Sequence, residues 1–113
     1  MGAGSGDRDV LARLYATIEA RRGGDPETSY TAKLLEGGAP AAARKLGEES
    51  VETVIAALQR DTGQTVRESA DLLYHLLVLW AACGITPDDV WAELGRREGT
   101  SGIAEKAARG AKE

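Results

Sequence analysis

The sequence predicts an all-α protein, a helical bundle of about five helices built around a central antiparallel pair. Apolar residues recur at helical spacing through most of the 113 residues. Gly and Pro stand between these stretches, where helices end or begin. No stretch has the apolar–polar alternation of a half-buried strand. A chain of this length forms one domain with a modest core, for which oligomerisation is a common remedy.

The first elements follow from glycine positions. Residues 1–6 are rich in Gly and Ser, and we expect them to be disordered. The domain is predicted to span 7–99 and to begin with a helix from Asp7 to Arg22. After a loop, a short helix is expected from Ser29 to Glu36, ended by Gly37-Gly38.

Two longer stretches form the predicted central pair. The first runs from Pro40, a residue suited to the first helical turn, to about Arg60. The second starts at Thr65, whose spacing to Glu68 is a capping-box pattern, and is ended by Gly84. Helices joined by so short a turn are expected to pack antiparallel.

The second helix of this pair also predicts a homodimer. A helix that is apolar nearly all round is buried on several sides. Five helices of one small chain can hardly surround it, so we expect a second copy to complete the core. The apolar residues that cover its circumference are Leu72, Leu73, Leu76, Leu77, Val78, Leu79 and Trp80.

The C-terminal part divides into a helix and a tail. Thr86-Pro87-Asp88-Asp89 is typical of a helix start, and that helix should stop before Gly99. The tail, 100–113, is small and polar, so any helix in it should be weakly anchored. We expect this tail to contact bound substrate.

Composition excludes several classes of function. A net charge of −4 argues against non-specific nucleic-acid binding, which usually needs a basic face. Cys83 and His75 are the only thiol and imidazole, so one chain cannot form a Cys₄ or Cys₂His₂ zinc site. The longest strongly apolar stretch, Leu76–Cys83, is too short for a membrane span, and no signal peptide is evident. We therefore expect a cytoplasmic protein.

Acidic residues recur on both helices of the central pair. Glu48, Glu49 and Glu52 are spaced three or four apart and share one face of the first helix. Glu68 and Asp71 are three apart on the second. Antiparallel packing would bring both groups to the same end of the hairpin, so that four or five carboxylates converge.

Converging carboxylates repel one another and need an offsetting factor. The alternatives are raised pKa values, basic partners or a divalent cation. Mg²⁺ suits an all-oxygen shell completed by substrate phosphates and water. For any one glutamate, solvated surface is the simpler interpretation. Asp71 is harder to explain that way, since it precedes a long apolar run in which an unpaired acid is costly.

This acidic pattern resembles that of a known superfamily. Glu48-Glu49-x-x-Glu52 followed by Glu68-x-x-Asp71 resembles the signature of the all-α (MazG-like) nucleoside triphosphate pyrophosphohydrolases. Within that superfamily, longer strings resemble the phosphoribosyl-ATP pyrophosphatase family of histidine biosynthesis, over about residues 10 to 109. These strings are Ser29–Leu35, Lys45–Glu49, Glu52–Ala57, Ala70–His75 and Ser101–Lys106.

The resemblance implies hydrolysis of phosphoribosyl-ATP to phosphoribosyl-AMP and pyrophosphate by a Mg²⁺-dependent homodimer. Carried over by motif position, Glu49, Glu52, Glu68 and Asp71 would be metal ligands. Glu48 would be either a further ligand or the base that orients the attacking water. Glu48 and Glu49 are thus the expected catalytic pair.

A substrate this anionic also needs cations other than the metal. The candidates lie within or beside the recognisable strings, and for each the alternative is a solvated surface cation. His75 lies four residues after Asp71 and could bind a phosphate or orient that carboxylate, or it could be a histidine at the core edge. The predicted substrate-binding residues are Lys33, Lys45, His75, Arg97, Lys106 and Arg109.

Two other functions are compatible with the sequence. A house-cleaning pyrophosphatase for non-standard nucleotides would share the acidic pattern but would not need the strings at Ser29 and Ser101. A non-catalytic helical dimerisation module would have an acidic surface and no stabilisation by magnesium.

Overall fold

A computed structural model describes residues 9–110, and all regular structure within that range is helical. The helices are α1 (Val10–Ala20), α2 (Tyr30–Leu58), α3 (Thr62–Cys83), α4 (Pro87–Arg96) and α5 (Gly102–Gly110). The predicted all-α class is therefore confirmed. The disorder expected for 1–6 and the predicted helix start at Asp7 lie outside the described residues.

Helix α2 joins two predicted helices in one element with a break. Gly38 has φ 74° and ψ −168°, a conformation that residues with a side chain rarely adopt. The helix is therefore interrupted at Gly37-Gly38 as predicted, but a second helical segment follows immediately. We call the segments before and after Gly38 the first and second arms of α2. Pro40 lies just after the break, where the missing N–H leaves no helical hydrogen bond unmade.

Helices α2 and α3 form the most extensive helix–helix contact, as the short connection between them predicts. The predicted start of α3 at Thr65 is wrong. Asp61 is the N-cap, since its carboxylate accepts a hydrogen bond from the Gln64 backbone N–H at 3.0 Å. The Thr65 hydroxyl instead donates to the Asp61 carbonyl at 2.7 Å, within the helix. At the other end, Gly84 (φ 75°) ends α3 as predicted.

The core lies where α1 crosses the end of the α2–α3 pair. Ile18, Leu77 and Val78 are fully buried there, together with small residues of α2 and α3. Arg22 donates to the Ala81 carbonyl at 2.8 Å and so satisfies a backbone acceptor in the last turn of α3. The Tyr15 hydroxyl donates to the Ile85 carbonyl at 2.8 Å and fixes the loop after α3.

Helix α4 begins as predicted, with Thr86 and Asp89 forming a reciprocal capping box. The tail helix α5 is held by charge rather than by apolar contact. Ile103 is 86% exposed, whereas Glu105 is buried and forms an ion pair with Arg96 of α4 at 2.7 Å.

No single helix within 9–110 is long and apolar enough to cross a membrane. Helices α3 and α4 reach the required length and composition only as a pair bent by 104°.

Candidate active site

The acidic residues of α2 and α3 meet where the two helices pack. One carboxylate oxygen each from Glu49, Glu68 and Asp71 lie within 4.8 Å of one another. Glu49 comes from the second arm of α2, while Glu68 and Asp71 are separated by one turn of α3. Three of the four or five carboxylates that were predicted to converge therefore do so. Asp71 is exposed, so the expectation that it would be costly to bury is wrong. We call these three residues the carboxylate cluster.

The interior of the carboxylate cluster contains unsatisfied acceptors. Oε1 of Glu49 and Oε1 of Glu68 are buried and have no hydrogen-bond partner among the described residues. The other oxygen of Glu68 accepts from the Gln64 amide at 2.6 Å, which fixes this side chain. A buried carboxylate oxygen without a donor is costly. The fold therefore retains an arrangement that these side chains do not stabilise by themselves.

The pKa of Glu49 reflects this unfavourable environment. Burial raises the pKa of Glu49 above its ordinary value, and the neighbouring acids Glu52, Glu68 and Asp71 raise this pKa further. The charge of Glu68 is the main cause of a raised pKa at Glu52, which is itself exposed. Glu52 thus lies near the cluster but is outside the group of three oxygens that approach within 4.8 Å.

Glu48 lies on the solvent side of the same helical turn. Its Oε1 accepts from the Lys45 ammonium at 3.0 Å, an ion pair between residues three apart on α2. This hydrogen bond is the main cause of a raised pKa at Lys45. Lys45 therefore offsets part of the charge of Glu48, whereas the buried oxygens of Glu49 and Glu68 have no such partner within 9–110.

The donor set of the cluster fits a hard divalent cation. All candidate ligand atoms are carboxylate oxygens, which Mg²⁺ prefers over nitrogen or sulfur. Repulsion among carboxylates can be offset by raised pKa values, basic partners or a divalent cation. The pKa of Glu49 is raised, but the two buried oxygens have no basic partner in the described structure. A cation at this position would supply the missing partner.

His75 is joined by hydrogen bonds to the backbone of Asp71 and to Tyr30. Its Nδ1 donates to the backbone carbonyl of Asp71 at 2.7 Å, because a carbonyl can only accept. In the neutral ring, Nε2 then accepts from the Tyr30 hydroxyl at 3.0 Å. Both ring nitrogens are thus engaged with the protein, and His75 is buried. Its hydrogen bond runs to the backbone of Asp71 and not to the carboxylate.

A cavity of about 450 Å³ lies beside the cluster, between the two arms of α2. Three cations line it, namely Lys33, Arg44 and Lys45, and Tyr30 forms part of its wall. Two of these cations were expected at a substrate site. Arg44 was missed, although it lies four residues before Glu48 and next to Lys45 in the recognisable string.

The C-terminal candidates are gathered elsewhere. Glu105 lies 2.7 Å from Arg96, 3.7 Å from Arg97 and 3.5 Å from Arg109, measured between carboxylate oxygen and guanidinium nitrogen. Arg97 also pairs with Glu93, whose pKa its two arginine neighbours lower to about 2. Lys106 is exposed on the same helix. Arg96 and Arg97 hold α5 against α4 through Glu105.

Comparisons with known proteins agree on one family. A family model described as phosphoribosyl-ATP pyrophosphohydrolase matches residues 11–98. Phosphoribosyl-ATP pyrophosphatase of Azospirillum brasilense is 63% identical over 88% of this chain and 90% of its own length. The proteins of that name from Parvibaculum lavamentivorans and Caulobacter vibrioides are each 64% identical, over 92% and 89% of this chain and 95% and 94% of their own lengths.

Proposed function

The chain belongs to the phosphoribosyl-ATP pyrophosphohydrolase family, and on this premise we propose that it hydrolyses phosphoribosyl-ATP in L-histidine biosynthesis. Water and phosphoribosyl-ATP are converted to phosphoribosyl-AMP and pyrophosphate by cleavage of the α–β phosphoanhydride. The observation that carries the proposal is the carboxylate cluster, in which two buried oxygens have no hydrogen-bond partner among the described residues.

Mg²⁺ is the proposed cofactor. Glu49, Glu68 and Asp71 would hold it, with Glu52 as a further ligand from α2. When bound, the ion would neutralise phosphate charge and lower the pKa of a coordinated water. The Gln64 amide fixes the Glu68 carboxylate, so this proposed ligand is oriented by a neighbouring side chain.

The proton of the attacking water needs a carboxylate acceptor. Glu48 and Glu49 are the candidates, one turn of α2 from Lys45. Lys45 forms an ion pair with Glu48, while burial raises the pKa of Glu49, which makes that carboxylate a better proton acceptor. Lys45 also lines the cavity, where it would contact substrate phosphate.

The C-terminal cations are proposed as a second substrate contact. Arg97 and Arg109 would have to exchange the Glu105 carboxylate for a phosphate, while Lys106 is unengaged within the described residues. Removal of the residues after Gly99 tests this role. A contact with substrate predicts a sharp rise in KM, and an unchanged KM would exclude it.

A homodimer is proposed from the surface of the α2–α3 pair. One face of α2 is apolar and largely exposed, with Leu58 at 78% and Val54 at 57% exposure, and Val66 and Leu73 of α3 are exposed as well. A stripe of this kind commonly marks an interface. The radius of gyration of 16.4 Å also exceeds the value of about 13 Å typical of a compact domain of this length. A second copy would cover the stripe.

The dimer is tested by charging its proposed interface. The double variant Val54→Glu/Leu58→Glu should reduce the mass in light scattering from that of two chains to that of one, 11.9 kDa, because burying these carboxylates is unfavourable. Ile103→Glu, at an 86% exposed position outside the stripe, is the control and should leave the mass unchanged. A wild-type monomer at micromolar concentration would contradict the proposal.

We place the reaction in the cytoplasm, where ATP-derived intermediates are formed. A single cysteine in the sequence is in keeping with a reducing compartment.

The proposed reaction is tested directly with purified protein and Mg²⁺. Phosphoribosyl-ATP should be hydrolysed faster than any member of a panel of ordinary and damaged nucleoside triphosphates, with pyrophosphate as a product. Glu52→Gln and Asp71→Asn are the variants that should lose activity. Faster turnover of a panel member would instead favour a house-cleaning pyrophosphatase.

A further inference from the structure

We propose that the cavity between the arms of α2 binds the second phosphate-bearing end of the substrate, and that Arg44 with Lys33 determines specificity there. This inference rests on the proposed function. Phosphoribosyl-ATP is an ATP whose base carries an additional ribose with its own 5′-phosphate. It therefore has two anionic ends, and the carboxylate cluster with its metal accounts only for the triphosphate end.

The wall of the cavity carries positive charge that is not engaged by other described residues. Lys33 and Arg44 line the cavity, and within 9–110 neither side chain has an ion pair or hydrogen bond to the protein. Most other guanidinium groups around the fold are committed, as Arg22 is to Glu19 and Arg96 to Glu93. Two cations directed at one concave surface without a protein acceptor are suited to an anionic ligand.

The side chains that line the cavity match the chemical groups of a ribose phosphate. Arg44 can bind a phosphate through two parallel N–H···O bonds, and Lys33 can add a point charge. Among the described residues, Glu36 is the single carboxylate on the cavity wall, and it can accept hydrogen bonds from ribose hydroxyls. The exposed face of Tyr30 and the side chain of Leu34 supply apolar surface for the sugar and base. Cations thus outnumber the acid on this wall.

Side chains that line the cavity also connect it to the carboxylate cluster. Lys45 lines the cavity and contacts Glu48 at 3.0 Å. Tyr30 also lines it, and its hydroxyl bonds His75, which in turn bonds the Asp71 carbonyl. Arg44 precedes Glu48 by four residues, about 6 Å along the helix axis. One substrate can therefore lie with its triphosphate at the cluster and its other end in the cavity.

This arrangement gives a physical basis for preferring phosphoribosyl-ATP over ATP. ATP lacks the additional ribose phosphate, so it would leave Arg44 and Lys33 without a partner. Discrimination by a hydrogen-bonded charged group exceeds that available from apolar contact alone. Arg44 and Lys33 are hence specificity-determining residues rather than catalytic ones, and their loss should act mainly through KM.

The test compares ligands with and without the distal phosphate. Arg44→Gln should lower kcat/KM for phosphoribosyl-ATP by about 10- to 100-fold, mostly through KM. It should leave the rate with the analogue that lacks the 5′-phosphate of the added ribose unchanged. Arg44→Lys should fall between the two, because charge is kept and the paired N–H donors are lost. Arg21→Gln removes an exposed cation outside the cavity and is the matched control.

Binding without turnover separates this inference from the proposed function. Calorimetry in EDTA measures the affinity for phosphoribosyl-AMP and for AMP without a bound metal. The difference between the two affinities reports on the cavity. Wild type should bind phosphoribosyl-AMP more tightly, and Arg44→Gln should remove that advantage. Equal affinity of wild type for the two ligands, or an equal loss for both in the variant, would overturn the inference even if phosphoribosyl-ATP is hydrolysed. Absence of phosphoribosyl-ATP hydrolysis by wild type would instead overturn the proposed function.

Discussion

Replacement of Glu49 by glutamine is expected to lower kcat by roughly 10³-fold, since a metal at a phosphoryl centre contributes several kcal/mol of charge stabilisation. Glutamine keeps the size of the side chain but loses the negative charge that would hold the ion. Steady-state kinetics with phosphoribosyl-ATP measure this loss. Glu98→Gln, a substitution of the same kind at an exposed position outside the cluster, should leave kcat unchanged.

The same substitution is expected to stabilise the protein when metal is removed. Because the pKa of Glu49 is raised above 4.5 in the folded state, the native protein binds this proton more readily than the unfolded chain does. That contribution to stability is complete below pH 4.5 and is lost as the pH rises through the folded-state pKa. At pH 7.5 in EDTA, Glu49→Gln should therefore unfold at a higher temperature than wild type.

The pH dependence distinguishes this explanation from a general effect of glutamine. The difference in melting temperature between Glu49→Gln and wild type should narrow as the pH falls toward 4.5, where the wild-type carboxyl is itself protonated. A Glu49→Gln variant that is less stable than wild type at pH 7.5 in EDTA would show that the buried carboxylate has a stabilising partner.

Replacement of Leu77 by alanine is expected to cost about 2–5 kcal/mol in the free energy of unfolding, the range for a buried leucine. Leu77 is 1% exposed and packs in the cluster of core residues shared by α1, α2 and α3. Its loss would leave a cavity at the point that fixes α3, the helix that carries Glu68 and Asp71. Denaturant unfolding at one fixed protein concentration measures the change.

A control separates core packing from helix propensity. Leu94→Ala lies on α4 at 52% exposure, and its effect should stay within about 0.5 kcal/mol. A Leu77→Ala variant as stable as wild type would mean that the core among α1, α2 and α3 does not hold the helix pair together.

Much of the fold was predictable because its signals are local. Gly84 and the Thr86–Asp89 capping box ended and began helices as their residue types require. The predicted start of α3 was wrong because two N-cap patterns overlap, one beginning at Asp61 and one at Thr65. Gly63 is a residue typical of turns, which favoured the later pattern. Asp61 prevails since its carboxylate caps Gln64, which in turn holds Glu68.

The site was predictable to the extent that helical spacing sets it. Spacing placed Glu49, Glu68 and Asp71 on facing surfaces, and a short connection brought those surfaces together. Arg44 was not predictable in the same way, because the cavity that it lines depends on the angle between the arms of α2 at Gly38. The Gly37-Gly38 pair in the sequence predicts that the helix is interrupted there. It does not predict which side chains face each other across the interruption.

The anchoring of α5 was likewise hidden. The tail contains Ile103 as its one large apolar residue, and the structure leaves it 86% exposed. Instead, buried Glu105 pairs with arginines that lie eight or nine positions earlier in the chain. Ion pairs between separate helices follow no periodicity in the sequence. The small and polar composition of the tail therefore predicted a weakly anchored helix.

The central claim is that carboxylates from α2 and α3 together bind a divalent cation. Isothermal titration calorimetry with Mg²⁺ tests it, on wild type and Glu68→Gln, each with a phosphoribosyl-ATP analogue whose α–β bridging oxygen is a methylene. Saturable binding by wild type and little binding by the variant are the expected results. Equal binding of Mg²⁺ by both proteins, or none by wild type, would contradict it.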